Sequence, residues 1–270
     1  MIRLFDFADV PREKAEERPP AASSYPLDRA EMGSGLSETP IDEVEPDALQ
    51  RVVVITDPRS PGADRFRYLR MRLRELREKK QLKSLVITSP IPQDGKSTVS
   101  LNLATVLSEG GKRSVLLIEA DLHRPNIAKT LGIPVRPGLA ECLENGLDPF
   151  AALRRLKPLH WHLLPAGTPK GNPTEILQSV TTASVLETLS PHFDWIIVDT
   201  PPLAPLTDAL TLAPLVDACL LVVRAGHTPR EAVEEALVQL GPGKVAGIIF
   251  NGADGLRRLY AKYSGYYAKR

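Results

Sequence analysis

The sequence predicts a single α/β domain built on a mostly parallel sheet with helices on both faces. Short, almost uninterrupted apolar runs recur along the chain: KSLVITS (83–89), RSVLLIE (113–119), WHLLPA (161–166), DWIIVD (194–199), ACLLVVRA (218–225) and VAGIIF (245–250). Strands that are apolar throughout, rather than alternating, are buried on both faces, as the strands of parallel sheets are. Between most of these runs lie segments with helical patterning, which gives the strand–helix alternation of a doubly covered sheet. At 270 residues the chain has room for one such domain with appendages, and a core of that size needs no disulfide staples.

Taken in order, residues 1–50 are rich in Pro, Glu, Ala and Ser (EKAEERPPAASS, SGLSETPIDEVEPD) and read as a solvated tail or linker. Residues 52–55 (VVVI) read as a short strand or an anchoring segment. From Gly62 the pattern turns helical through Lys80: Phe66, Leu69, Leu73 and Leu76 form one apolar stripe, and Arg67, Arg70, Arg74 and Arg77 run beside it. The remaining domain is expected to extend to residue 256, with a tail at 257–270. Formal charge is +1, so the average electrostatics favour neither nucleic acid nor an acidic partner, and no nucleic-acid partner is expected. Cys142 and Cys219 share no motif spacing and read as small buried residues in a reducing compartment. No signal-peptide core is present at the N-terminus, and no stretch reaches the ~18 apolar residues that span a bilayer. The expected location is cytoplasmic, with any membrane connection made through a partner.

Chemistry concentrates at three strand ends. After the first run, residues 89–98 read SPIPQDGKST and lead into a helix. The usual phosphate-loop frame, Gly-x-x-x-x-Gly-Lys-Ser, would put its first glycine at Pro90. Strand, glycine-containing turn, Lys-Ser-Thr and helix is nevertheless the context in which backbone N–H groups cradle an anion. Pro92, Gln93, Asp94, Gly95, Lys96, Ser97 and Thr98 are thus candidate nucleotide-binding residues. Lys96 would reach the outer phosphates and the Ser97 hydroxyl would ligate Mg2+. The run 115–125 (VLLIEADLHRP) ends in Glu119 and Asp121, and 195–202 (WIIVDTPP) ends in Asp199. Ligands of open parallel sheets sit at the carboxyl ends of strands, so all three polar ends meet on one rim. Mg2+ on a nucleotide takes few protein oxygens, and Ser97 with Asp199 supplies them, with Asp121 as a further candidate. Two bland readings stand beside these: the loop as a capped strand-to-helix turn, and Asp199 as a helix cap. His160 and His162 read as the polar face of an edge strand rather than a metal site, since no third ligand stands at a diagnostic spacing.

These three segments, in this order, resemble the bacterial tyrosine kinases, a family of P-loop NTPase-type ATPases tied to capsule and exopolysaccharide export. Their loop reads Ser-x-x-Pro-Gly-Glu-Gly-Lys-Ser-Thr and aligns with Ser89 through Thr98 without a gap, so the missing glycine at Pro90 is no defect. GLAECLENG (138–146), LPAGTPKGNPTEIL (164–177) and PPLAPLTDALTLAPLVDACLLVVRAG (201–226), with its Thr-Asp-Ala step at Asp208, extend the likeness from about residue 58 to the end. The resemblance implies Mg2+-ATP as cofactor and Lys96, Glu119, Asp121 and Asp199 as catalytic residues. It implies autophosphorylation of Tyr260, Tyr263, Tyr266 and Tyr267, whose setting (LYAKYSGYYAKR) has the composition of a mobile basic segment. It also implies ring-like self-association through the 62–80 helix, with Asp64, Arg67 and Arg70 standing in the family's Glu-x-x-Arg-x-x-Arg pattern. The activator would be a separate membrane-embedded protein of polysaccharide export.

In the loop and at the strand end after it four residues depart from the family pattern, one of them Asp94 in place of glutamate. Gln93 stands where the family has glycine, and a positive φ there would cost it about 1 kcal/mol. Glu119 stands where the family has aspartate, at a position implied to act as base or to organise Mg2+, and it extends the carboxylate by roughly 1.5 Å. His123 stands where the family often has arginine. Nucleotide binding is expected to survive these changes better than catalysis, because phosphoryl transfer depends on positioning. A weakly active or inactive ATP-binding regulator of the same export machinery is therefore the second reading. A partitioning-type ATPase is the third, opposed by Ile91, which stands where that class carries a second lysine.

Overall fold

The computed structural model describes residues 2–3, 36 and 39–253. In chain order its strands are β1 (Ile2–Arg3), β2 (Ile41–Glu43), β3 (Ser84–Thr88), β4 (Val115–Glu119), β5 (Arg154–Lys157), β6 (Trp161–Leu164), β7 (Trp195–Asp199), β8 (Ala218–Arg224) and β9 (Val245–Asn251). The helices are α1 (Val53–Thr56), α2 (Pro61–Lys80), α3 (Lys96–Ser108), α4 (Ile127–Thr130), α5 (Leu139–Asn145), α6 (Pro149–Ala152), α7 (Pro173–Leu177), α8 (Val180–Leu189), α9 (Asp208–Leu212) and α10 (Arg230–Leu240).

The six apolar runs become β3, β4, β6, β7, β8 and β9. They lie side by side and parallel in the order β9-β8-β3-β7-β4-β6. Shorter strands trim the margins: β5 pairs antiparallel with β6, β2 lies parallel outside β5, and β1 runs antiparallel on β9. Two apolar layers sandwich the sheet. On one face α2 and α3 pack Leu69, Leu73, Leu101 and Leu107 against Leu85, Ile87, Leu117 and Ile197. On the other, α5, α8, α9 and α10 contribute Leu139, Leu143, Val185, Leu189, Leu212 and Leu240, packed against Val86, Leu116, Ile118 and Val198. Full burial of the central strands explains why their sequences do not alternate.

The long helix forms where its spacing places it. Ser60 caps it by accepting from the Ala63 N–H, Pro61 opens it, and Gln81 closes it in a left-handed conformation. Leu69 and Leu73 are fully buried, with Phe66 and Leu76 beside them. The arginine row finds partners within the same chain. Arg67 pairs with Asp64 at 2.7 Å and donates to the Pro58 carbonyl, and Arg70 donates to the Val106 carbonyl at the end of α3. Arg74 reaches Glu109, and Arg77 donates to the Asp194 carbonyl while stacking over Trp195.

Three expectations are corrected. Residues 39–50 are not linker: β2 and the 3-10 turn Pro46–Arg51 belong to the domain, with Val44 and Leu49 buried in its core. Asp42 forms a two-pronged pair with Arg154, both contacts at 2.6 Å, which fixes β2 to the sheet margin. Residues 53–56 are helical rather than extended, and only Val52 is fully buried as an anchor. His160 and His162 do not share an edge-strand face. His160 sits in the β5–β6 turn with φ 60°, while β6 lies between β4 and β5. The His162 ring packs edge-on to Phe193, and burial lowers its pKa to about 4. Among the described residues no group of three or more His, Cys, Asp or Glu side chains is placed to hold a metal.

Candidate active site

Because β3 lies directly beside β7, the loop after β3 meets the last residue of β7. Gly95 caps α3 with φ 92°, and α3 then opens on Lys96, Ser97 and Thr98. The first N–H groups of that helix have no intrahelical partner and face the rim, which makes an anion cradle. The Ser97 hydroxyl donates to Asp199 Oδ2 at 2.8 Å. Ser100, one turn further, donates to Oδ1 at 2.8 Å. Asp199 is thereby held from both oxygens at the base of the loop. Burial pushes its carboxyl up to about 6, against the pull of Lys96 and the two serines.

Lys96 Nζ lies 3.2 Å from Asp121 Oδ2, and Asp121 Oδ1 accepts from the Arg124 N–H at 3.0 Å. Lys96, Ser97, Asp121 and Asp199 therefore converge as their strand-end positions predict. Glu119 lies in register with Asp199 on the neighbouring strand but does not join them. Its buried carboxylate accepts from the backbone N–H groups of Asn126 (2.6 Å), Ile127, Ala128 (3.4 Å) and Ala166 (3.3 Å). Burial raises its pKa while those four donors oppose the rise. The Glu119 carboxylate thus lies at the start of α4, while Asp121 is the one beside Lys96.

The loop is tied down from behind by residues that its motif does not reveal. Asp94 is wholly buried, and its side chain faces the protein rather than a ligand. It accepts from Thr228 Oγ1 at 2.6 Å and from the Ile91 N–H at 3.4 Å. Asn251, the last residue of β9, donates to the Asp94 carbonyl at 2.9 Å, and Arg224 donates to the Gln93 carbonyl at 3.3 Å. Gln93 adopts φ 67°, the left-handed conformation that a glycine would take without strain. At the outer side, His123 Nε2 lies 3.1 Å from Asp208 Oδ2, and Thr174 donates to Asp208 Oδ1 at 2.7 Å. His123, where the resemblance expects arginine, thus still faces a carboxylate. Tyr260, Tyr263, Tyr266 and Tyr267 lie outside the described residues.

The donor set suits a nucleotide with its divalent ion: a hydroxyl and a carboxylate side by side, a lysine, and a helix start aimed at one spot. Comparison with known proteins decides among the classes that share such a site. No family model matches the chain. Over 225 residues, however, it is 31% identical to the tyrosine-protein kinase YwqD of Bacillus subtilis, covering 82% of this chain and 92% of that protein.

This chain belongs to the bacterial tyrosine-protein kinases. The same kinase region is 31% identical over 242 residues to the succinoglycan biosynthesis transport protein ExoP of Rhizobium meliloti, covering 83% of this chain but 31% of that longer protein. Among solved structures, the kinase domain of the Escherichia coli tyrosine kinase ETK superposes with a TM-score of 0.71 at 28% identity, covering 74% of this chain and 79% of that one. Kinase membership accounts for the loop frame without a leading glycine. Among the described residues no helix is long and apolar enough to cross a membrane.

Proposed function

We propose that the protein is an ATP-dependent protein-tyrosine autokinase that transfers the γ-phosphoryl group of Mg2+-ATP to Tyr260, Tyr263, Tyr266 and Tyr267 and so regulates polysaccharide synthesis and export. The observation that carries the reading is the convergence of Lys96, Asp121, Ser97 and Asp199 at the start of α3 in a chain of this family. The loop 92–98 holds the phosphates on backbone N–H groups and on Lys96. Ser97 and Asp199, with Asp121 beside them, are the oxygens that would hold Mg2+, which when bound neutralises charge between the β- and γ-phosphates. Asp121 lies beside the lysine and would receive the tyrosine hydroxyl proton. Gly95 lets the loop backbone approach the phosphates, and Asp94 with its partners Thr228 and Asn251 keeps that backbone fixed.

Ring-like assembly would use α2, where Arg67 exchanges Asp64 of its own helix for an acid on the neighbour, and Arg70 lies at the same edge. A separate membrane-embedded activator would bring this cytoplasmic kinase to the inner face of the membrane. Incubation with Mg2+-ATP followed by phosphotyrosine mapping, beside Lys96→Met and a chain ending at residue 256, tests the reading. Phosphotyrosine confined to 260–267 and absent from both variants supports it. Nucleotide binding without any phosphotyrosine would replace it with the ATP-binding regulator.

A further inference from the structure

We propose that Glu119 is a positioning residue: a buried staple that holds the loop 120–126 so that Asp121 faces Lys96. The consequence for turnover rests on the kinase reading; the staple itself does not. At Ala120 the chain leaves the sheet, its N–H still donating to the Asp199 carbonyl at 2.8 Å. It re-enters regular structure only at α4 (Ile127–Thr130). Between these points lie Asp121, which touches Lys96, His123, which touches Asp208, and Arg124, whose N–H donates to Asp121 Oδ1. Glu119 spans the gap from beneath. Oε1 receives Asn126 and Ile127, and Oε2 receives Ala128 together with Ala166, which lies beyond the end of β6. One side chain thus clamps the far end of the loop and the neighbouring connection at once.

A carboxylate with four N–H partners and a fully buried position has no lone pair aimed at a substrate. It cannot also serve as the base toward tyrosine without breaking that set. Asp121 can do so, because among the described residues its Oδ2 pairs with the lysine that a phosphate would recruit. Side-chain length is therefore what lets residue 119 reach these donors. Aspartate there would fall short by roughly 1.5 Å, beyond hydrogen-bond reach of donors already 2.6–3.4 Å away, and would leave buried N–H groups unpaired. Glutamine keeps the length and the acceptor for Asn126 and Ile127, and turns its amide N–H groups only toward the two longer contacts.

The two roles predict opposite rank orders, which Glu119→Asp and Glu119→Gln separate in the full-length protein. Autophosphorylation kcat and KM for Mg2+-ATP are measured beside amide exchange without nucleotide, read at Asn126, Ile127, Ala128 and Ala166. The Arg124 amide is also read, because it reports the Asp121 turn. The staple predicts that Glu119→Gln keeps kcat within about tenfold. Glu119→Asp loses about a hundredfold with KM little changed, the scale expected of a ~1 Å misplacement. The Asn126, Ile127 and Arg124 amides exchange faster in Glu119→Asp than in Glu119→Gln. Ala128 and Ala166, which lose their acceptor in both variants, exchange faster than in the parent in each. Glu119→Asp matching or exceeding the parent while Glu119→Gln is inert would overturn the proposal in favour of a base. Unchanged exchange in Glu119→Asp would overturn it as well. If the parent forms no phosphotyrosine yet the exchange order holds, the staple stands and the kinase reading falls.

Discussion

Replacing Gly95 by alanine probes how the phosphate loop is held in shape, and its cost follows from two separate contacts. At φ 92° an L-residue pays on the order of 1–2 kcal/mol for the left-handed region. A Cβ built on Gly95 would also lie 2.1 Å from Asn251 Nδ2, so the amide must withdraw. Withdrawal forfeits its 2.9 Å bond to the Asp94 carbonyl, worth about 1 kcal/mol. The sum is about 2–3 kcal/mol. Asn251→Ala alone forfeits that bond and the exposed one its Oδ1 accepts from the Gly252 N–H, about 1 kcal/mol in all. In the double variant the bond to Asp94 is lost once rather than twice and no amide stands in the way of the methyl. The pair is therefore expected to cost about 1 kcal/mol less than the sum of the single changes. Urea unfolding of the four proteins, with titration of a fluorescent ATP analogue, measures both stability and loop function. Additivity within about 0.3–0.5 kcal/mol would refute the contact-based account, as would a Gly95→Ala protein as stable as the parent.

The remaining predictions rest on other parts of the fold. Asp199 carries a folded-state pKa near 6, above its ordinary 3.8, so its contribution is fully present below pH 3.8 and lost as pH rises through 6. The nucleotide-free parent should therefore lose on the order of 3 kcal/mol relative to Asp199→Asn between pH 4 and 7; parallel stability curves would exclude that cause. Burial pushes the Cys142 and Cys219 thiols up to about 12, so neither should react with a thiol reagent at pH 8 until the protein unfolds, when both titrate. Asp42→Ala removes a two-pronged partner of Arg154 and should cost about 1–2 kcal/mol, with faster exchange of the Val44 and Arg155 amides that pair β2 with β5.

The parallel core and most of the rim were legible because each is written locally. An apolar run marks a doubly buried strand, and a carboxylate just past it marks a rim residue, as at Asp121 and Asp199. Ser100 was findable too: it lies one helical turn beyond Ser97 and shares its face toward Asp199. What stayed hidden depends on contacts far apart in sequence. Residues 39–50 look like linker because Asp42 is stabilised by Arg154, 112 positions away. Thr228 and Asn251 carry no motif, yet 134 and 157 positions separate them from the Asp94 groups they hold. Their one sequence signal was position, since both follow or end an apolar run at the same rim. Glu119 was read as chemistry because its place in the motif is that of a reacting carboxylate. Its partners are backbone N–H groups, which no sequence pattern displays.

Transfer of phosphate from ATP held by the loop 92–98 and Asp199 of one chain to the tail tyrosines of a neighbouring chain can be tested by complementation. Lys96→Met with its tail intact is mixed with a chain ending at residue 256 whose site is intact, in Mg2+-ATP, and phosphotyrosine is mapped. Phosphate is expected on Tyr260, Tyr263, Tyr266 or Tyr267 of the Lys96→Met chain in the mixture, and none in either protein alone. A mixture and a parent protein that both bind ATP and both stay free of phosphotyrosine would contradict it.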